Sequence, residues 1–177
     1  MLSCYRVLSV NKVSSLGLRR CPKASCVVRA LQLNGITAIL DLDKFKEVMK
    51  AMGWSEYKPN VVTGSLTRLV EEVASKLGGI VVHGLNEERG TEEAVVKFVG
   101  ADVDEVLKEL ERVRLEIERI GKESRSNATI SIGVYVGPIT CLKPQPLSEA
   151  KKAPEVVMAL RALKKAKKRG GNRIVVL

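Results

Sequence analysis

Aromatic residues are scarce in this sequence, making up 3% of 177 residues. A face built to stack nucleic-acid bases draws on clustered aromatics. Beyond residue 34 there are only Phe45, Trp54, Tyr57, Phe98 and Tyr135, which form no cluster, so nucleic acid is not an expected partner. Long apolar runs are missing too. None approaches the roughly 18 residues that a membrane-spanning helix needs, so no membrane partner is expected. Histidine occurs once, as His83, and cysteine is nearly confined to the start: Cys4, Cys21 and Cys26 precede residue 34 and only Cys141 follows it. That excludes a disulfide framework for the body of the chain and fits a reducing, cytoplasmic setting. Cys21 and Cys26 have no second ligand pair with which to complete a tetrahedral zinc site.

Acids are absent from residues 1–34, which hold six cations: Arg6, Lys12, Arg19, Arg20, Lys23 and Arg29. Taken from the net charge of +10, these leave +4 for residues 35–177. The basic excess therefore belongs largely to the leader, which is rich in Ser and Arg and has no sustained periodicity. It reads as a disordered basic arm or an upstream extension from a misassigned start; a transit peptide is the third alternative. The fold is expected from about Gly35 onward, as one domain over 35–177. At 45% hydrophobic the chain can bury one good core.

The informative stretch is Ile36 to Gly53. An apolar run, Ile36 to Leu40, stops at Asp41-Leu42-Asp43, and a helix follows with Phe45, Val48, Met49 and Met52 at helical spacing. This reads as a buried strand delivering carboxylates to a sheet edge, where ligands of α/β sheets gather. Asp43 stands where a side chain can cap the helix. Asp41 has no such local role. A carboxylate ending an apolar strand is costly unless hydrogen-bonded or bound to a cation. Metal ligation and a solvated strand end both remain open for it.

Further along, Leu66, Leu69, Val70, Val73 and Leu77 mark a second helix stopped by Gly78-Gly79. Ile80–Val82 and Ala94–Phe98 read as strands joined by a polar turn. Asp102 and Glu105 open a helix that carries Val106, Leu110, Val113 and Ile117 and ends at Gly121. Ala128–Val136 alternates strictly, with a small second face. After a Pro-rich connection, Pro154 opens a lysine-rich helix, and Arg173–Leu177 closes as a strand. The order β-α-α-β-β-α-β-α-β contains a ferredoxin-like β-α-β-β-α-β core, extended by an extra helix and a C-terminal strand, in an α/β (α+β) fold. If the first strand and the Ala94 strand are antiparallel neighbours, Asp41 faces Glu92 and Glu93. Such converging carboxylates suit a divalent cation, although Glu92 and Glu93 also read as a solvated turn.

These residues resemble the diguanylate cyclase (GGDEF) domain, of the class III nucleotidyl cyclase and polymerase-palm group. Asp41-Leu42-Asp43-Lys44-Phe45-Lys46 with Gly53 is similar to its first motif, and Gly90-Thr91-Glu92-Glu93-Ala94 to its signature hairpin. Thr129–Val134 and Ala162–Arg173 are similar to its last two motifs, so the resemblance spans residues 36–177. It implies chemistry on nucleoside triphosphates with Mg²⁺ or Mn²⁺, and leaves a homodimer open as the assembly. Asp41, Glu93 and the Leu42 carbonyl would hold metal, with Glu92 beside them as a third catalytic carboxylate. Phe45, Lys46 and Lys167 would contact the nucleotide, the lysines as point charges on phosphate.

Departures cluster at the base-reading positions. Met49 and Lys50 replace the family's Asn-Asp, and Ser65 stands where the second guanine-reading aspartate falls. Thr91, Ala94 and Gly171 replace its second glycine, phenylalanine and phosphate-binding arginine. The leading expectation is a metal-dependent nucleotidyl cyclase or transferase of unspecified base. The alternatives are a degenerate nucleotide sensor or partner-binding module, and an enzyme of the GTP cyclohydrolase III type.

Overall fold

The apolar run Ile36–Leu40 builds β1 (Leu33–Leu42), the middle strand of a five-stranded sheet. The structure is a computed structural model that describes residues 33–55, 57–140 and 142–177. It continues through α1 (Phe45–Met52), α2 (Val61–Leu77), β2 (Ile80–His83), β3 (Glu93–Val99) and α3 (Val103–Glu123). β4 (Ile130–Ile139), α4 (Leu147–Ala150), α5 (Pro154–Lys168) and β5 (Ile174–Val176) complete it. The strand order is β2-β3-β1-β4-β5, with β1 antiparallel to β3 and β4, and β5 parallel to β4. The ferredoxin-like core is thus β1-α2-β2-β3-α3-β4, as expected. Strand β1 starts two residues ahead of the expected boundary, with Leu33 and Asn34 paired to β4. The remainder of the basic leader lies outside the described residues.

Side chains alternate across a strand, so β1 feeds two cores. Ile36, Ala38, Leu40 and Leu42 pack with Phe98, Ile130, Ile132 and Val134 under α2 and α3. Ile39 and Val95 pack with Ala150, Val156, Ala159 and Leu163 on the opposite face, under α4 and α5. The small second face of β4 has a steric cause. A Cβ at Gly133 would strike the Ala159 carbonyl oxygen, so α5 lies directly on this strand.

Two local readings need correction. Helix α2 begins at Val61, ahead of the apolar spacing that starts at Leu66, because Asn60 accepts from the Val62 and Thr63 amides while Thr63 Oγ1 accepts from Asn60 N. The four-residue α4 was not foreseen. Its register is fixed by the fully buried Ala150, and Gln145 N donates to Val82 O to pin the preceding connection to the β2 edge.

The α5 side of the sheet also buries an ion pair. Lys97 Nζ lies 2.7 Å from Glu155 Oε1, and both side chains are 0% exposed. Burial raises the Glu155 carboxyl, but the Lys97 bond and the Thr140 amide and hydroxyl outweigh it and hold the group below its ordinary value. Such a pair is expensive to break from one side. Lys97→Met should cost about 3 kcal/mol in urea unfolding, and adding Glu155→Leu should recover most of that loss.

Candidate active site

The antiparallel pairing of β1 with β3 sets Asp41 directly across from Glu93. Paired residues share a face, and this is the face covered by α4 and α5. Both carboxylates therefore meet lysines from those helices. Lys167 Nζ lies 2.6 Å from Asp41 Oδ2, and Lys151 Nζ lies 3.0 Å from Glu93 Oε1 and 3.1 Å from Oε2. Glu92 is exposed beside them, and its carbonyl accepts from Leu42 N at 3.0 Å. Burial pushes the Asp41 carboxyl above its ordinary value. Lys167 pulls it down, while Glu93 and Asp43 add repulsion.

Asp41, Leu42, Lys44, Phe45, Lys46, Glu47, Glu92, Glu93 and Lys167 line one cleft of about 320 Å³. Every site residue expected from the sequence falls on its wall. An adjoining cleft of about 310 Å³ shares Phe45, Glu92 and Glu93 and runs along the hairpin past His83, Asn86 and Arg89. Phe45 thus forms part of both walls while packing against the larger core.

Asp43 does not cap α1. Its carboxylate accepts from Thr129 Oγ1 (2.9 Å), Ser131 Oγ (2.7 Å) and Asn172 N (2.9 Å). Two hydroxyls and an amide from elsewhere in the chain outcompete the local helix amides for it. The capping position passes to Lys44, in the left-handed region at φ 48° and with no side-chain cap bond. Gly171 sits against the same carboxylate: a Cβ there would lie 2.9 Å from Asp43 Oδ2. Asn172, at φ 48°, in turn bonds Arg114 and Glu118 of α3 through its side chain. The motif aspartates divide their work, Asp41 facing the cleft and Asp43 tying β1 to β4 and the turn after α5.

The hairpin departures have a packing basis. Thr91 is buried at the second signature glycine. Its hydroxyl donates to Gly84 O and meets Thr67 Oγ1 at 2.9 Å, and its amide reaches Thr67 Oγ1 and Thr63 O. These bonds dock the hairpin onto α2. Ala94 is fully buried in the larger core.

At the base-reading positions, Met49 is buried and its sulfur accepts from Asn60 Nδ2. Ser65 lines a separate groove between α2 and α3. Neither joins the carboxylates.

Among the described residues, no three His, Cys, Asp or Glu side chains converge as a metal-binding group. The donors on offer are two carboxylates and the strand-end carbonyl of Leu42. These hard oxygens fit Mg²⁺ or Mn²⁺, which bind through one or two carboxylates with substrate phosphate and water completing the shell. Each carboxylate already carries a cationic ammonium. Lys151 is the site residue that sequence reasoning missed, since it follows the unforeseen α4. No helix among the described residues is long and apolar enough to cross a membrane.

No protein-family profile matches the sequence, and no curated protein matches it. The fold does find likenesses among solved structures. The coiled coil and GGDEF domain of DgcB from Caulobacter crescentus, in complex with c-di-GMP, is 20% identical; the match covers 82% of this chain and 70% of that one, with a TM-score of 0.51. The isolated DgcB GGDEF domain is 21% identical over 81% and 78% of the two chains, with a TM-score of 0.50. The guanylate cyclase domain of RhGC from Catenaria anguillulae, in complex with GTP, is more distant at 17% identity, covering 76% and 75%, with a TM-score of 0.42. The motifs spread over residues 36–177 and the sheet that joins them agree with the first two comparisons: the chain has the fold of a GGDEF-type nucleotidyl cyclase domain.

Proposed function

We propose that this chain binds a nucleoside triphosphate together with Mg²⁺ or Mn²⁺ at the Asp41–Glu93 edge and acts as a nucleotidyl cyclase or transferase. The supporting observation is the register that sets Asp41 opposite Glu93 in a cleft lined by Lys44, Lys46 and Lys167. Asp41, Glu93 and the Leu42 carbonyl would hold the metal. That ion would supply Lewis-acid activation of a ribose hydroxyl and charge neutralisation at phosphate. Lys46, exposed on α1, and Lys167 provide point charges for phosphate oxygens. Glu92, exposed on the wall of the same cleft, would accept the hydroxyl proton. The new O–P bond forms at the α-phosphorus as the bond to the β-phosphate breaks, and pyrophosphate leaves. Joining two triphosphates calls for two such half-sites, hence a homodimer.

Release of pyrophosphate from each of the four ribonucleoside triphosphates, with Mg²⁺ or Mn²⁺, tests the reading directly. Metal-dependent binding without pyrophosphate would instead make the chain a nucleotide sensor. The burial of Met49 and the presence of Gly171 where the family carries a phosphate-binding arginine favour that second reading.

Base selectivity should be weak. With Met49 under Asn60 and Ser65 in another groove, no polar group at those positions reaches a bound base. GTP should be preferred over ATP by less than about tenfold, or about 1.4 kcal/mol, in a competition titration. Strong GTP selectivity would mean that other groups read the base, with the Asn86 amide in the adjoining cleft the first to examine.

A further inference from the structure

Lys151 reaches the site from a turn held by packing rather than from a loop. It is the C-cap of α4, its amide donates to Leu147 O, and the preceding Ala150 is completely buried. Its ammonium binds both oxygens of Glu93, while Lys167 binds Asp41. Glu93 is 17% exposed and Lys151 36%, so the pair sits at the cleft rim.

We propose that Lys151 and Lys167 are internal counter-ions of the Asp41–Glu93 pair, and that Lys151 transfers to phosphate when a metal-bound triphosphate enters. This rests on the metal–nucleotide reading above. A bare divalent cation must displace both ammoniums from the oxygens it needs. It then leaves two positive charges close to a third, with no anion to receive them. A metal-bound triphosphate carries its own anionic oxygens, which can take the displaced ammoniums. The site therefore discriminates against bare metal and favours the metal–triphosphate complex. Lys151 opposes the first event and assists the second. A salt bridge serving only the fold would do neither, and at a half-exposed rim it would add little stability.

The two roles have opposite signs, which makes them separable. Mn²⁺ binding to the full chain is measured by electron paramagnetic resonance. Binding of the Mn²⁺ complex of the α,β-methylene analogue of GTP is measured by calorimetry. For Lys151→Met we expect Mn²⁺ alone to bind about tenfold tighter and the Mn²⁺–analogue complex about tenfold weaker, within the usual range of site coupling. Lys151→Arg, which keeps the charge, should stay close to wild type in both. The melting temperature of Lys151→Met should be unchanged; if that variant fails to fold, Lys151→Gln replaces it in the same titrations. If both affinities move in the same direction, or neither moves, while wild type binds both probes, the counter-ion role is wrong and the metal–nucleotide reading stands. If wild type binds neither probe, the functional reading fails and takes this proposal with it.

Discussion

Asp41→Asn should abolish metal-dependent nucleotide binding and any turnover while leaving the fold in place. The neutral amide keeps the volume of the carboxylate but cannot supply a charged oxygen to Mg²⁺ or Mn²⁺. It also releases Lys167, whose 2.6 Å contact is the counterweight to this charge. The stability effect has a defined sign. Burial, with help from Glu93 and Asp43, raises the folded-state value of Asp41 above its ordinary 3.8. A raised carboxyl contributes stability that is fully present below the unfolded value and is lost as pH rises through the folded one. Wild type should therefore give up some stability over that window, and Asp41→Asn should not. At neutral pH and without metal, the variant should melt at or slightly above the wild-type temperature. Calorimetric titration with nucleotide and Mn²⁺, alongside thermal melts across pH, checks both halves. If Asp41→Asn unfolds the protein while Glu93→Gln changes nothing, Asp41 is a structural group and there is no metal site.

Two residues away, a loss of stability is expected. Asp43→Ala should destabilise the protein by about 4 kcal/mol, because three donors, two hydroxyls and one amide, lose a charged acceptor together. Ser131 is completely buried, so its hydroxyl has no water to turn to. Urea unfolding should show a lower midpoint with an unchanged slope, since the surface exposed on unfolding stays the same. Asp43→Asn should fall between, keeping one acceptor oxygen. A loss below about 1 kcal/mol for the alanine variant would mean that these bonds are replaced readily by solvent. The contrast between neighbouring aspartates is itself a test. One substitution removes function and spares stability; the other removes stability.

How much of this could be seen in the sequence depended on the range of the forces involved. Strand β1 and helices α3 and α5 were legible because their apolar spacing is local and repeats over many residues. The facing of Asp41 and Glu93 followed from topology, since an antiparallel neighbour fixes which ends meet. Asp43 was misread because its position is locally perfect for a cap. What decides its partner is the hydroxyl of Ser131 on β4, that of Thr129 just before it and an amide after α5, and no spacing rule along the chain reports on them. Lys151 was missed for a related reason. Four residues of helix leave no periodic trace, and the anchor is a single buried alanine. The hydroxyl contacts of Thr91 were equally hidden, because the position reads as a lost glycine until α2 is seen beneath it.

The bonds to Asp43 also bear on the order in which the molecule assembles. Its partners lie 86, 88 and 129 residues away along the chain, and the Lys167–Asp41 contact spans 126. Contacts of such separation pay loop-closure entropy before they return any energy, and chains that depend on them fold slowly. Helices α2 and α3 can form early from local contacts. The edge that carries Asp41 is fastened only when β4 and the turn at Asn172 have both arrived. In a refolding experiment, helical signal should therefore recover ahead of ligand-binding capacity, and during synthesis the cleft stays unformed until residue 172 has left the ribosome.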